Sequence, residues 1–346
     1  MQPRQQRLLL QVGAFAFIIG IIYFTYTGGQ HQIIPAAGKS ALGQSSTKST
    51  SPPKSSSSRP YLFIFGDSYS SHSHAGFVPS APLQPTEENP TGYLPANKDE
   101  GTFSGGDIWV DIYLKNAPKG TFVHNYATPG NVVNYTRLGT HFDPLLMAIV
   151  SPVKDMVTQL EHFETIHSKT VPWKGDDSIF FNWFGVNDLT ATQLHSKLPQ
   201  DEMELLIEAQ VGDFWTLVRR QYAQGARNFV HILVPPMERV PSYADFNPAM
   251  KPLAQHLTKT WSDVFRKGNK DFLREHPEAT SIVFETAEVF NEIMDHYKEY
   301  GARNDNCFSY GKDTLCLWYD FLHPGELIQR EMGKRIFEKS KKIFGL

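Results

Sequence analysis

The chain has 346 residues, of which 40% are hydrophobic and 13% aromatic, and its formal net charge is −3. This charge shows no excess of basic residues of the kind that binds nucleic acid, so we exclude that class of partner. The apolar content is enough for a large buried core, and the length left after the N-terminal segment fits one domain over residues 61–346.

The N-terminal segment contains 19 nearly unbroken apolar residues, 8–26, with Gln11 as the main polar exception. As an α-helix this run is about 28 Å long, close to the hydrocarbon thickness of a bilayer. Arg4 and Arg7 precede it without an acidic residue, which predicts a cytosolic tail at 1–7 and a luminal or extracellular remainder. We therefore predict a single-pass type II signal-anchor. The alternatives are a signal peptide cleaved from a secreted protein and a buried core helix.

Residues 27–60 connect this apolar run to the predicted domain. Positions 39–60 alone hold nine Ser, two Thr and three Pro. Such a composition offers few side chains to bury, so we predict that the segment is disordered. It is typical of a Ser/Thr/Pro-rich stalk, O-glycosylated stalks included, that holds a domain away from a membrane.

Short apolar runs bounded by turn residues alternate with longer amphipathic stretches after residue 60. This alternation predicts strands followed by helices, and hence a mostly parallel sheet with helices on both faces. The predicted strands are 61–65, 121–126, 178–184, 228–234 and 281–284. The predicted helices are 106–116, 151–168, 201–224, 250–276, 287–300 and 324–343. We therefore expect an α/β fold, a three-layer α/β/α sandwich around a sheet of about five strands.

Four short motifs follow one another along this domain. They are Gly66-Asp67-Ser68, Asn125-Tyr126-Ala127-Thr128-Pro129-Gly130, Gly185-Val186-Asn187-Asp188 and Asp320-Phe321-Leu322-His323. The first three fall at the ends of the first three predicted strands. Because ligand sites in parallel α/β sheets lie at the carboxyl ends of the strands, we expect these motifs to meet at one edge of the sheet.

Ser68 is the candidate nucleophile of this set. A serine hydroxyl becomes an effective nucleophile only when a base takes its proton. The sequence predicts Ser68 at a strand end that opens into a helix, where its own N–H and the helix dipole face developing negative charge. For an isolated Gly-Asp-Ser the alternative is an ordinary serine N-cap of a helix.

Gly130 and Asn187 are candidate oxyanion donors beside the backbone N–H of Ser68. A glycine lets the backbone approach a ligand closely and point its N–H at it. The side-chain amide of Asn187 supplies a second external hydrogen bond. The alternatives are a turn glycine after Pro129 and an asparagine that makes an Asx-turn.

Asp320 and His323 are the candidate orienter and base. Their three-residue spacing lets the carboxylate accept the Nδ1–H of His323 and fix its tautomer, so that Nε2 faces Ser68. The alternative is a surface aspartate with a helix-capping histidine. His72 and His74 flank the nucleophile without a cluster of carboxylates or cysteines, so we interpret them as loop residues and predict no metal and no cofactor.

Two further features bear on the compartment. Cys307 and Cys316 are the only cysteines, and in an oxidising lumen we expect them to form one disulfide before the Asp-x-x-His motif. Two free thiols are the alternative for a cytosolic protein. Asn134-Tyr135-Thr136 is the single Asn-x-Ser/Thr sequon without proline at its centre, and it marks Asn134 as a candidate N-glycosylation site.

The four motifs together resemble the SGNH (GDSL) hydrolase family over about residues 60–346. Ser68, Gly130, Asn187 and His323 fall on its four signature positions, and Asp320 falls on its usual aspartate. The resemblance implies a flavodoxin-like arrangement of the sheet. Residues 102–111 and 317–320, with the cysteine pair, are similar to fungal secreted esterases that include carbohydrate acetylesterases.

This resemblance implies a serine esterase that hydrolyses carboxylic esters through an acyl-enzyme, with O-acetyl esters on carbohydrate as the first expectation. A lipid or lysophospholipid ester is the alternative that the predicted membrane anchor favours. An acyl transferase and an inactive binding protein of the same fold also stay open. Aromatic residues near the motifs suit sugar rings, but we expect them to form core instead: Trp109, Trp183, Phe184, Trp318 and Tyr319.

Overall fold

The computed structural model describes residues 61–72, 101–139, 155–195 and 198–346, together with residues 85, 86, 88 and 90. The predicted tail (1–7), signal-anchor (8–26) and stalk (27–60) lie outside these ranges. Within them, no helix has both the length and the apolar character that crossing a bilayer requires.

Five parallel strands form a single sheet in the order β2-β1-β3-β4-β5. All five are apolar runs that the sequence predicts as strands, and Ile64 and Phe181 illustrate their complete burial. Parallel strands are buried on both faces by crossover helices, so they read as nearly continuous apolar runs. The bounds are β1 Tyr61–Gly66, β2 Phe122–Asn125, β3 Ser178–Trp183, β4 Asn228–Ile232 and β5 Thr280–Phe284.

Helices connect these strands and cover the sheet, which confirms the predicted α/β fold. Right-handed crossovers place helices on both faces when the strand order reverses direction next to β1. The α-helices of the described ranges are α1 Trp109–Asn116, α2 Tyr135–Gly139, α3 Met156–His162, α4 Ser168–Thr170, α5 Val186–His195, α6 Gln200–Ala223, α7 Pro241–Ala244, α8 Lys251–Glu275, α9 Thr286–Asp295 and α10 Glu326–Phe344. A π-helical turn, Phe163–His167, joins α3 to α4, and 3₁₀ turns span Met237–Arg239 and Pro248–Met250.

Helix α8 shows why these segments fold as they do. Its buried residues Ala254, Leu257, Trp261 and Phe265 recur every three or four positions, which places them on one helix face. That face packs against α6, while α10 packs against α1. Helix α5 is absent from the predicted set because its apolar and polar residues show only a weak periodicity.

Aromatic rings fill much of the core. Phe63 and Phe180 lie 4.8 Å apart between centroids on neighbouring strands, and Phe163 packs edge-on against both. Four of the five aromatic residues near the motifs are also buried, which agrees with a core role: Trp109, Trp183, Phe184 and Trp318. Tyr319 is only partly buried, so it differs from the other four.

The predicted disulfide between Cys307 and Cys316 is present. It closes a ten-residue loop that comes just before the Asp320–His323 motif. Two residues beyond this disulfide loop, the N–H of Trp318 donates to the carbonyl of Cys307 at 3.2 Å. The loop is therefore held by both a covalent and a hydrogen-bonded closure.

Candidate active site

Ser68, His323 and Asp320 form one hydrogen-bonded relay. The Oγ of Ser68 lies 2.7 Å from Nε2 of His323. On the other side of the ring, Nδ1 lies 2.8 Å from Oδ2 and 2.9 Å from Oδ1 of Asp320. A nucleophile, a base and an orienter in mutual contact are the arrangement that activates a serine hydroxyl.

Ser68 lies in a tight turn that directly follows β1. Oδ1 of Asp67 accepts the N–H of Tyr69 at 2.9 Å, and the carbonyl of Asp67 accepts the N–H of Ser70 at 3.1 Å. No helix begins among residues 67–72, so the expectation that the nucleophile opens a helix is wrong for this stretch. The cause is the Asp67 side chain, whose local bond to the backbone competes with a helical turn.

Two aromatic rings hold the imidazole of His323 in place. Phe103 stacks on it, with a centroid separation of 4.5 Å and an interplanar angle of 24°. Tyr69 lies against it at 5.7 Å, and its hydroxyl donates to the carbonyl of Leu322 at 2.6 Å. The base is therefore fixed by residues from the nucleophile turn and from the 102–111 segment.

Gly130 and Asn187 come together beside the nucleophile turn. The Nδ2 of Asn187 donates to the carbonyl of Asn131, the neighbour of Gly130, at 2.9 Å. The same nitrogen lies 3.4 Å from Oδ2 of Asp67, the neighbour of Ser68. The carboxyl ends of β1, β2 and β3 thus bring the three motifs to one edge of the sheet, as their order predicts.

Two glycines allow these loops to come so close. Gly130 has a φ of 76°, in the left-handed region that favours glycine. Gly185 has a φ of 118°, and a Cβ there would lie 2.6 Å from Trp261 and from Val234. Without a side chain at position 185, α5 begins directly against the core and presents Asn187 in its first turn.

Gln159 is a site residue that the sequence did not indicate. This buried side chain on α3 accepts the N–H of Gly66 at 3.0 Å and donates to the carbonyl of Gly66 at 2.7 Å. Its Nε2 also donates to Oδ1 of Asn131 at 2.7 Å. One amide therefore ties the residue before the nucleophile turn to the residue after Gly130.

The profile described as GDSL-like lipase/acylhydrolase matches residues 62–336 of this chain. The chain belongs to this family. It is an ester-hydrolysing enzyme, specifically a serine esterase.

An acetylesterase of Thermothelomyces thermophilus is 29% identical to this esterase over 289 residues, which cover 82% of this chain and 89% of that protein. Two solved structures are similar at 13% identity. An acetylxylan esterase of Geobacillus stearothermophilus has a TM-score of 0.42 and aligns over 84% of this chain and 95% of its own. An aryl esterase of M. smegmatis has a TM-score of 0.43, over 82% of this chain and 99% of its own.

Burial alone would raise the pKa of Asp320, but this effect is outweighed in the esterase. The neighbouring His323, together with the backbone N–H groups of Leu322 and His323, lowers the pKa of Asp320 below its usual value. Asp320 therefore stays ionised near neutral pH, and its charge is placed to stabilise a protonated His323.

We expect that replacing Gln159 with Met will lower kcat about 10- to 100-fold while KM for a small ester changes little. The substitution leaves the N–H and carbonyl of Gly66 and Oδ1 of Asn131 without their buried partner, so the two loops lose their common support. Steady-state kinetics on p-nitrophenyl acetate, together with the melting temperature, measures the effect.

Gln221→Met is the matched control for this change. Gln221 is also a buried helical glutamine, but its amide pairs with Asn182 inside β3. We expect this variant to lose stability and keep its kcat. Equal losses of kcat in the two variants would show that Gln159 acts only through general stability.

Two other buried carboxyls flank the relay. Burial raises the pKa of Asp67 and that of Asp188 to about 7 each. Asp188 accepts the N–H of Val133 through Oδ1 at 3.0 Å, and its Oδ2 has no hydrogen-bond partner among the described residues. Each carboxyl therefore holds its proton in the folded state at a pH where the unfolded chain has lost it.

From these shifts we predict that Asp67 and Asp188 stabilise the folded state at about pH 4 and that this contribution is lost as pH rises to about 7. In this window the two carboxyls bind more protons in the folded than in the unfolded state, so their contribution to the free energy of unfolding decreases with pH. The buried imidazoles of His124, His167 and His231, whose pKa values burial lowers to about 3, 4 and 3, contribute in the opposite direction. Asp188→Asn removes one of the two groups and should remove about half of this decrease. Thermal unfolding of both proteins at about pH 5 and about pH 8 measures it as the difference between their two pH dependences, and identical pH dependences would refute the contribution of Asp188.

The remaining predicted residues lie nearby in defined contacts. Asn134 is partly buried, and its Nδ2 donates to Oδ2 of Asp213 at 2.8 Å; its glycosylation stays a prediction. Nε2 of His72 lies 3.0 Å from Oδ1 of Asp111, and His74 is outside the described residues. In the ranges that the structure covers, no three His, Cys, Asp or Glu side chains are grouped so as to hold a metal ion.

Proposed function

We propose that Ser68 is the nucleophile, His323 the general base and Asp320 the orienter of its imidazole. In the first step Nε2 of His323 takes the proton of Ser68, and Oγ forms a bond to the ester carbonyl carbon. The tetrahedral intermediate then collapses: the bond to the alcohol oxygen breaks, and the alcohol leaves with the proton from His323. The single observation that carries this proposal is the relay of contacts from Ser68 through His323 to Asp320.

The negative charge that develops on the carbonyl oxygen needs donors on the other side of the substrate. We propose the backbone N–H groups of Ser68 and Gly130 and the side-chain amide of Asn187. The position of Asn187 supports this role, because its bond to the carbonyl of Asn131 at 2.9 Å directs the amide, while its second N–H makes only a long contact of 3.4 Å to Oδ2 of Asp67 beside the nucleophile. Such donors stabilise charge most when they are held in place before the reaction.

The second step returns the enzyme to its starting state. A water molecule gives a proton to His323 and attacks the acyl carbon. The bond to Oγ then breaks, and Ser68 regains the proton from His323. Over both steps the ester and one water molecule become an alcohol and a carboxylic acid, and Ser68 is regenerated. Every group that these two steps need comes from the substrate, one water molecule and the side chains and backbone N–H groups named above.

For the substrate, we propose an O-acetyl ester on a carbohydrate. The similarity to the acetylesterase of Thermothelomyces thermophilus supports the acetyl group, since it covers most of both chains. The family as a whole includes lipases, so a longer acyl ester is the alternative to be excluded by experiment.

The test compares hydrolysis of p-nitrophenyl acetate with hydrolysis of p-nitrophenyl octanoate by the full-length enzyme, with Ser68→Ala as the blank. We expect kcat/KM to favour the acetyl ester. A preference for octanoate would overturn the acetyl assignment in favour of a lipid ester. Adding a free sugar acceptor to the acetyl reaction separates two enzyme types, because a hydrolase releases acetate at an unchanged rate and a transferase forms an acetylated sugar.

We further propose that residues 8–26 anchor the enzyme in a membrane and that residues 61–346 lie on the luminal or extracellular side. The apolar run and the two arginines before it support this orientation. The disulfide between Cys307 and Cys316 supports an oxidising compartment. Carbonate extraction of membranes from expressing cells tests the anchor, because an anchored protein stays in the pellet whereas a cleaved, secreted form appears in the medium.

A further inference from the structure

A line of five aromatic side chains runs from the base to the protein surface. It starts at Phe103, which stacks on His323, and each ring centroid lies within 6.3 Å of the next. We call it the aromatic strip, and its members in order are Phe103, Tyr319, Tyr310, Phe308 and Phe246. The reaction described above uses only the first ring, as a support for His323.

Exposure is lowest at the end of the aromatic strip next to the base and highest at its far end. Phe103 is 7% exposed, Tyr319 and Phe308 are partly buried, Tyr310 is 39% exposed and Phe246 is 60% exposed. Large exposed rings cost free energy in water, so a row of them that is continuous with a reaction centre marks a binding surface. These two rings are the only aromatic side chains among the large exposed hydrophobic residues of the described ranges.

The backbone under the aromatic strip is fixed before any ligand arrives. Tyr310 has a φ of 52°, the only positive value for a residue other than glycine in the described part of the chain. Such a conformation is strained, and it persists where the surrounding structure enforces it, often at ligand sites. Here the disulfide closes the loop around Tyr310, and the N–H of Tyr310 donates to the carbonyl of Tyr319 at 2.7 Å.

The far end of the aromatic strip is tied to the same loop. Asn306, which precedes Cys307, donates through Nδ2 to both carboxylate oxygens of Asp245 at 3.0 Å. Asp245 is the neighbour of Phe246, so this contact holds the outermost ring against Phe308. At the near end, the N–H of Tyr319 donates to the carbonyl of His323 at 2.8 Å. A rigid surface therefore extends from the base outward.

Neighbouring rings of the strip meet at interplanar angles between 49° and 89°, so they do not form one flat platform. We propose that the exposed rings of the strip bind the sugar chain that carries the acetyl group, with pyranose rings lying on Tyr310 and Phe246. The C–H faces of a pyranose pack on aromatic ring faces, which carry negative charge density, while its hydroxyl groups stay in water or pair with polar neighbours. Asn306 and Asp245 stand beside the strip as such neighbours. This inference rests on the proposed carbohydrate substrate and specifies an oligosaccharide rather than a single sugar.

An acyl chain fits the aromatic strip less well. A chain of methylene groups gains most when it is enclosed and removed from water, as in a tunnel or a closed pocket. Tyr310 and Phe246 lie open to solvent, so an alkyl chain on them would keep much of its surface in water. A sugar chain tolerates this, because only one of its faces has to leave water.

The test uses two acetyl esters that differ only in the alcohol: p-nitrophenyl acetate and an acetylated xylohexaose. The test variant combines Phe246→Ala with Tyr310→Gly, since glycine keeps the positive φ at position 310 without strain. We expect kcat/KM on the acetylated hexasaccharide to fall about tenfold or more, mainly through KM, while kcat/KM on p-nitrophenyl acetate stays within about twofold. Leu205→Ala is the matched control, because Leu205 is 64% exposed but lies on α6 outside the strip.

Binding gives a second measurement that needs no turnover. We expect Ser68→Ala to bind deacetylated xylohexaose in a calorimetric titration, and the same protein with the two strip substitutions to bind it at least about tenfold more weakly. Equal binding, together with equal hydrolysis of the acetylated hexasaccharide, would overturn the inference and leave the proposed function standing. If the unsubstituted enzyme hydrolyses p-nitrophenyl acetate but not the acetylated hexasaccharide, both are overturned. A selective loss of activity on p-nitrophenyl octanoate in the strip variant would assign the strip to an acyl chain instead.

Discussion

Ser68→Ala should lower kcat for p-nitrophenyl acetate by about 10⁵- to 10⁶-fold, the largest effect of any single substitution in this esterase. Without Oγ, the 2.7 Å contact to Nε2 of His323 has no oxygen to deprotonate, and no acyl-enzyme forms. The residual rate comes from substrate bound near the oxyanion donors and attacked directly by water. Folding should be little affected, because the change removes one oxygen atom from a turn held by other groups.

Ser70→Ala is the matched control for this loss. Ser70 lies in the same turn and is also buried, but its Oγ accepts the indole N–H of Trp109 at 3.0 Å. We expect it to lose some stability and to retain most of its activity. A fluorophosphonate probe adds a direct measurement, because it should label the unsubstituted enzyme and the Ser70 variant at Ser68. More than about 1% of the original activity in Ser68→Ala would refute Ser68 as the nucleophile.

Asp320→Asn should lower kcat by about 10⁴-fold at neutral pH with little loss of stability. Oδ1 of Asp320 accepts the N–H groups of Leu322 and His323 at 2.7 and 2.8 Å, and an amide oxygen takes over these bonds. The amide nitrogen then occupies the position of Oδ2, 2.8 Å from Nδ1 of His323, and donates to it. The imidazole is left with its proton on Nε2, facing Ser68, and it no longer accepts the serine proton.

Asp320→Ala separates this tautomer effect from simple loss of support. Alanine leaves the N–H groups of Leu322 and His323 without their buried acceptor, so we expect a lower melting temperature as well as a lower kcat. The asparagine variant should keep a melting temperature close to that of the unsubstituted enzyme. Activity within tenfold of the original in Asp320→Asn would refute the orienting role.

The fold followed from the sequence because its strands are locally distinct. Runs such as 61–65 and 178–184 are buried on both faces, so nearly every position is apolar and the pattern needs no partner to be recognised. Helix α5 was not predicted because its first turn carries site residues instead of a regular apolar stripe. The turn at Asp67–Ser70 was assigned wrongly, since an Asx bond and a helix start share the same residue types.

The residues that support the site could not be predicted from the sequence, for a different reason. Gln159 looks like any polar residue of an amphipathic helix, and its partner Gly66 is 93 positions away. The stacking of Phe103 on His323 and the burial of Asp188 are equally nonlocal. Such contacts form only when elements that are far apart in the chain pack together. The residue types and spacing within any one segment do not reveal them.

The sequence by itself determined the order of strands and helices, the family and the residue types available for ester chemistry, because periodicity and short motifs are local properties of the chain. Only the tertiary structure decided which of these residues touch. It placed His323 against Ser68 across 255 positions, buried the two carboxyls beside them and aligned Phe103 with Phe246 through the disulfide loop. These contacts form only when the carboxyl ends of the strands meet at one edge of the sheet. No single segment of the chain therefore determines them.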